Sequence, residues 1–459
     1  LKLIIKDALI SSGERNETRS VHILISDEII EDIVSADIDL PDADEVIDAK
    51  GLLVLPGALD PHVHFDTPGY TDREDFTHGS MAAAVGGVTC VIDMPDTSIP
   101  AVTDRAKFNT KLKTIEEMSV IDFALWGGVS GNSFKAKFWR KDMSALKNAG
   151  VVGFKTYLVS GMREFEHLFP LELVSVMRYA SENGMLVGLH AEDRELIQRK
   201  IAALSTAGKR NLQAYYEARR DPAEELGIKE GIAIAAETGC TLHIVHVGSK
   251  KGAIAAINSR KDGADISMET CAHFLEFTCD DLFEKGSVVK TSPVVKTSND
   301  RDALWNFLCD SKIDFVSSDH APCTEREKNT GSAWTDYSGM PGTELMLPYL
   351  FSEGFMKGRI TLKRFIDATS TAAAKRFGLF PRKGYLAKRS DADLVLMDKN
   401  EKWVVNGKKL HSKGKLTPFE GKEMVGRVKK TICRGKVVYD DSKGFLQKPG
   451  YGKFIKKSY

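Results

Sequence analysis

From Pro56 onward, short apolar runs alternate with helical stretches, and this alternation restricts the fold more than any other feature of the 459 residues. The runs include TCVIDMP, DFALWGGV, GVVGFKTYLV, MLVGLHAE, LHIVHVGS, ADISMETCAHF and DFVSSDHAP. Stretches with helical character, such as PLELVSVMRYASENG and EGIAIAAETG, lie between some of them. Strands this uniformly apolar are buried on both faces, as in a parallel sheet flanked by helices. About eight repeats over ~330 residues favour a closed (β/α)8 barrel over a flat doubly wound sheet. The two ends of the chain have another texture. Residues 1–55 and 384–459 read as short strands between Gly, Asp and Asn punctuation. The expected architecture is therefore α/β: a barrel over residues 56–383, inserted into one small β-sandwich built from both termini. The closing YGKFIKKSY is basic and lacks a core pattern, so it is expected to be solvated or to dock on a neighbouring subunit.

Charge excludes some partners. Lys plus Arg and Asp plus Glu are both 64, a formal net charge of zero. A balanced chain has no general attraction to nucleic acid or an anionic membrane. No apolar run approaches the ~20 residues that span a bilayer. The opening LKLIIKDALISSGERNE turns polar too soon for a signal peptide. Seven cysteines without a CxxC pair fit a reducing cytoplasm.

Several apolar runs end in residues that bind metals. His62 and His64 follow GLLVLPGAL in LDPHVHFDTPG, and side chains at i and i+2 of a strand share a face. His190 ends MLVGLH, His246 ends LHIVH, and Asp319 ends DFVSSD. Strand ends of a barrel converge on one mouth, where active sites form. Singly, each could be an ordinary polar residue at a loop start. Lys155 is different, because it lies inside the apolar run GVVGFKTYLV. Burial disfavours its charge and lowers its pKa from ~10.4. A neutral amine can take up carbon dioxide as a carbamate, whose two oxygens can bridge two metal ions. The alternative for Lys155 is a snorkelling or ion-paired lysine.

HVHF, GFK, LHAE, IVHV and SSDHAP, in this order, resemble the cyclic amidohydrolases: dihydroorotases, hydantoinases, dihydropyrimidinases and allantoinases. The likeness covers essentially the whole chain. It implies that His62, His64, Lys155 and Asp319 hold one divalent ion, and that Lys155, His190 and His246 hold the other. It also implies a carbamate on Lys155, a bridging hydroxide and ring-amide hydrolysis. Asp319 is then the catalytic general base and acid. The N/O donor set suits zinc first, with manganese, cobalt, iron and nickel also compatible. A mononuclear deaminase would have no use for Lys155. A non-catalytic assembly homologue would be expected to lose ligands, whereas all six positions are filled. Homodimers or homotetramers are usual in this group.

The substrate is expected to be a small neutral cyclic ureide. DMPDTSIPAVTD and SSDHAPCTEREK resemble dihydroorotase motifs, but that pattern has Arg, Asn and His where this chain has Asp66, Asp96 and Cys323. An acid facing a substrate carboxylate at ~4–5 Å costs roughly 3–4 kcal/mol at an effective dielectric near 20. Asp66 and Asp96 would instead accept N–H groups. HVHFDTPGYTDREDF, AAAVGGVTCVIDMP, FALWGGVSGN, AKRFGLFPRKG and TPFEG resemble the allantoinases most, and Cys323 suits their last-strand motif. Asp66 and the MPDT loop depart from that family's form. L-hydantoinase or dihydropyrimidinase activity is the alternative. Ser292 and Gly339 are expected to clamp the ring imide. Segments 68–76 and 159–169 are expected lids. His273 and His320 are expected to support the ligands through hydrogen bonds. His22, His78, His167, His243 and His411 carry no functional expectation.

Overall fold

The computed structural model describes residues 2–14 and 16–457. Its centre is a barrel of parallel strands in chain order. Ala58–Val63, Val88–Asp93 and Asp122–Leu125 pair in sequence. After a break at Trp126, Gly127–Gly128 continues into Phe154–Tyr157, Val187–His190, Leu242–Ile244, Ile266–Cys271 and Phe315–Ser317. The ring closes where Val63 bridges His320 and the His64 amide donates to the His320 carbonyl at 2.8 Å. Asp60 Oδ1 also accepts the Ser318 amide at 3.0 Å. A closed barrel leaves no strand edge unpaired, and its active face lies at the strand C-termini.

A separate nine-stranded sheet joins the two ends of the chain. Leu394–Val404 pairs antiparallel with Leu53–Pro56, which pairs parallel with Lys2–Ser11 at Leu9. Thr18–Ser26 and Ile29–Ser35 extend one side; Glu423–Cys433, Lys436–Asp440 and Gly444–Phe445 extend the other. The β-branched and aliphatic residues of these segments alternate in burial. Ile5, Val21, Ile23, Val54, Leu394 and Ile432 form part of a core separate from that of the barrel.

The C-terminal segment corrects the expectation of a solvated tail. It lies along the barrel strand Asp122–Leu125. Phe123 donates its amide to Lys453 O at 3.0 Å, and Ile455 donates to Phe123 O at 2.7 Å. Ile455 is buried, and Phe454 packs on Phe108 and Phe123. A Cβ at Gly452 would lie 1.9 Å from the Ile121 carbonyl, so this approach requires glycine. The sequence pattern missed the contact because only two apolar residues carry it. Ser458 and Tyr459 lie outside the described residues.

Barrel base, terminal sheet and tail meet at a buried charge cluster. Lys383 Nζ donates to Asp122 at 2.5 Å and to Asp393 at 2.8 Å. Arg434 Nε donates to Asp122 at 2.9 Å, and the Lys453 amide adds a bond of 2.8 Å. Lys383, Asp122, Asp393 and Arg434 are all buried. Removing one partner of such a set leaves an uncompensated charge, at a cost of about 3–5 kcal/mol. Lys383→Met is therefore expected to lower the midpoint of thermal unfolding markedly. An unchanged melting curve would show that the cluster does not hold these parts together.

Candidate metal centre

The six residues singled out as ligands occupy the strand ends of the barrel mouth. His62 is in Ala58–Val63, with His64 just beyond. Lys155 lies within Phe154–Tyr157, and His190 closes Val187–His190. His246 and Asp319 sit two residues past Leu242–Ile244 and Phe315–Ser317. His246 and Asp319 have φ of 39° and 47°. Such left-handed backbone is uncommon outside glycine and costs of order 1–3 kcal/mol each. It turns both side chains inward at the point where the strand ends.

Asp319 Oδ1 lies 3.3 Å from His62 Nε2 and 3.4 Å from His64 Nε2. These three residues offer ligand atoms within 4.8 Å of one another. His190 Nδ1 and His246 Nε2 are 3.0 Å apart, and the His62 and His246 ring centroids are separated by 5.2 Å. Lys155 is fully buried, and its Nζ has no hydrogen-bond partner among the described residues. It lies over the Tyr157 ring, 4.8 Å from the centroid. Residues 155 and 157 share one face of the strand.

Electrostatics follow from this crowding. Burial lowers the Lys155 amine to about 8, although Asp96 and Asp319 oppose the shift. Burial also lowers His190 and His246, the latter helped by the neighbouring His190. Burial pushes Asp319 upward, but His62 and His64 hold it well below the ordinary carboxylate range. The lowered imidazoles of His190 and His246, the ionised Asp319 and the poised amine form a donor set for hard-to-borderline divalent ions. His64, whose burial is outweighed by Asp96 and Asp319, is drawn up to about 9 and would give up its proton to a cation. Lys155 Nζ and His246 Nδ1 are buried without partners, which also fits residues waiting for a cation.

Support for the ligands comes from residues the sequence reading passed over. Glu269, within Ile266–Cys271, places Oε1 2.6 Å from His62 Nδ1 and Oε2 3.3 Å from His243 Nε2. Glu192 Oε2 lies 2.9 Å from His190 Nε2 and accepts Arg219 Nη1 at 2.5 Å. These carboxylates fix which nitrogen each ring turns toward the centre. An acid inside the apolar run ISMETC was the available signal for Glu269, the same signal that marked Lys155. His243 therefore has a role through Glu269 that no pattern indicated. The two histidines expected to support ligands do other things. His320 pairs with Glu74 at 3.0 Å beside the barrel seam, and His273 Nε2 is buried without a partner.

A cavity of about 420 Å³ opens above the centre. Among the expected contact residues, Asp96 and Ser292 line it, whereas Asp66, Cys323 and Gly339 do not. Asp66 is buried and raised to about 8 by that burial, so it is largely protonated near neutral pH. The Gly339 amide is already committed to the Lys290 carbonyl at 3.0 Å. Of the two expected lids, Val159, Ser160, Gly161 and Met162 border the cavity. Segment 68–76 is pinned instead: Arg73 stacks on Tyr70 and Tyr337, each at 4.6 Å, and bonds Glu327 at 2.7 Å. Tyr157, Tyr215, Arg219 and Lys290 complete the lining in ways the sequence did not indicate.

The model of the amidohydrolase family matches residues 53–438. The chain belongs to that family. It is 36% identical over 403 residues to an allantoinase of Solibacter usitatus, covering 88% of this chain and 87% of the relative. It is 36% identical over 399 residues to an allantoinase of Rubrobacter xylanophilus, covering 87% and 86%. Among solved structures, the L-hydantoinase (dihydropyrimidinase) from Arthrobacter aurescens superposes with a TM-score of 0.94 at 30% identity, covering 99% of each chain. The dihydropyrimidinase from Brevibacillus agri NCHU1002 gives 0.91 at 29% identity, over 100% of this chain and 99% of that one.

Glu269 offers a direct test of ligand orientation. Glu269→Gln keeps the shape but weakens the hold on His62. Metal affinity is expected to fall about 10–100-fold, measured by equilibrium dialysis. Unchanged affinity would mean that Glu269 does not orient His62.

Proposed function

We propose that this protein hydrolyses a ring amide of a cyclic ureide with two divalent ions, and that allantoin, opened to allantoate, is its substrate. The observation carrying the proposal is the buried, partnerless Lys155 amine amid four histidines and Asp319. In this reading His62, His64, Lys155 and Asp319 hold one ion, and Lys155, His190 and His246 hold the other. Lys155 does so as a carbamate. Zinc suits the donors, and manganese, cobalt, iron or nickel could replace it. When bound, such a pair acidifies water and draws electron density from a carbonyl.

The protein's own groups supply the rest. Asp319 Oδ1 faces the ligand histidines, which keep the carboxylate ionised, and in this reading the ionised carboxylate takes the proton as general base. Passing that proton to the ring nitrogen completes amide cleavage, where the leaving group is poor. Asp96 Oδ1 is buried in the lining without a partner and can accept a ring N–H. Its other oxygen is held by the Tyr157 hydroxyl at 3.0 Å. The allantoinase relatives favour allantoin, while the hydantoinase structures support 5-substituted hydantoins as the second reading. A cytoplasmic homo-oligomer fits the seven unpaired cysteines and the habit of the group. Among the described residues no helix is long and apolar enough to cross a membrane.

Metal-loaded protein is expected to hydrolyse allantoin, to act less on hydantoin and dihydrouracil, and to leave dihydroorotate nearly untouched. Turnover of dihydroorotate alone would overturn the assignment. Reconstitution should also depend on pH. Carbamate forms from the neutral amine, which prevails above the Lys155 pKa of about 8. Reactivation of metal-free protein by metal, with bicarbonate adjusted at each pH to hold dissolved carbon dioxide constant, is expected to speed up as pH rises through this value. A rate that falls over that interval would contradict the role of Lys155. Finally, Lys155→Met removes a charge that burial disfavours. The metal-free variant is expected to be stabilised by on the order of 1–3 kcal/mol while losing metal binding, as read by thermal melting and metal analysis. Retention of two ions by this variant would refute the bridging role.

A further inference from the structure

The cavity has walls of opposite character. One presents the Asp96 carboxylate. The other is built on Tyr215, whose hydroxyl donates to Thr291 O at 2.8 Å. Lys290 Nζ lies 4.4 Å from the Tyr215 ring centroid and Arg219 Cζ lies 5.5 Å from it. Both cations border the cavity.

Their charges are not equally matched. Arg219 is paired with Glu192 at 2.5 Å, and its Nη1 also bonds Ser292 Oγ at 2.7 Å. Lys290 is buried, yet among the described residues no carboxylate lies within ion-pair distance of its Nζ, which bonds the main-chain carbonyl of Asp336. Behind it, Lys328 is also buried, and among the described residues it reaches only the carbonyls of Lys290 and Tyr337, at 3.3 and 3.1 Å. Burial, together with Lys328 and Arg219, pulls the Lys290 ammonium down to about 7. An anion bound beside Lys290 would favour its charged form, so a wall of two buried lysines that meet only main-chain carbonyls among the described residues is suited to an anion from outside.

We propose that Lys290, aided by Arg219, forms a subsite for the substituent on the substrate ring, selecting arms that end in an oxygen acceptor and holding a carboxylate carried on a methylene arm more tightly than a neutral carbonyl; a carboxylate attached directly to the ring, as in dihydroorotate, has no arm to reach it. This deepens the cyclic-amide hydrolase reading and rests on it. The ring presents its N–H groups to Asp96, and the arm extends toward Tyr215. The ureido carbonyl of allantoin would occupy the same subsite as a neutral acceptor, whereas a carboxymethyl arm satisfies both hydrogen bonding and charge. An aliphatic arm would leave the Lys290 charge without a counterion.

Calorimetry on the metal-loaded protein tests this with cyclic ureas that lack the scissile carbonyl: imidazolidin-2-ones carrying acetate, acetamide or isobutyl at C4. Affinity is expected to fall in that order, with acetate at least about tenfold tighter than isobutyl. Lys290→Met should erase the advantage of acetate, and Lys290→Arg should retain it. Equal binding of the three ligands by the wild type, absence of binding by all, or an unchanged preference in Lys290→Met would each overturn the subsite. The wild-type series decides even if Lys290→Met does not fold. If the ligand order holds but no hydantoin or allantoin is hydrolysed, the subsite stands and the hydrolase reading falls.

Discussion

An amine sealed in a barrel without a hydrogen-bond partner is the constraint around which this molecule is arranged. Lys155 is fully buried, and burial works against its charge. The surrounding structure repeats the same cost. His246 and Asp319 adopt left-handed backbone, and Glu192 and Glu269 are buried carboxylates. Burial pushes both acids upward, but Arg219 and His190 hold Glu192 at about 2, and His62 and His243 hold Glu269 far below its usual range. Strain and buried charge in one place are the marks of a site kept for function rather than stability.

The fold makes that concentration possible. A closed barrel brings residues as distant as His62 and Asp319 to one mouth, and bonds between Asp60 and Ser318 and between His64 and His320 lock the seam beside them. At the opposite, N-terminal end of the Asp122–Leu125 strand, the Lys383–Asp122–Arg434 cluster ties the barrel to the terminal sheet and to the C-terminal segment. Stability is thus anchored away from the ligand ends, which leaves the mouth free to carry unsatisfied groups.

Much of this was legible in the sequence because strand periodicity and ligand chemistry coincide. Each of His62, His190, His246 and Asp319 marks the end of an apolar run, and convergence of strand ends follows from the barrel alone. Lys155 was legible because a charge interrupts an apolar strand. Glu269 interrupts ISMETC in the same way and was missed only for want of an obvious partner. Arg219 lies on a helix and Lys290 in a loop, where charged residues are ordinary, so no one-dimensional pattern separates them from solvated neighbours. Asp66 shows the converse limit. Its type suggested a contact in the cavity, whereas it is buried behind the lining, where burial raises its carboxyl to about 8. The closing Phe454 and Ile455 were too few to register as a core pattern, although a single added strand needs no more.

The central claim is that Lys155 captures carbon dioxide and thereby gathers two cations. Carbon-13 NMR of protein reconstituted with metal and labelled bicarbonate tests it most directly, using a diamagnetic ion such as zinc. The account predicts a carbamate carbon signal at one site per chain, appearing together with about two bound ions and absent from Lys155→Met. Full metal loading with no labelled carbon on the protein would contradict it.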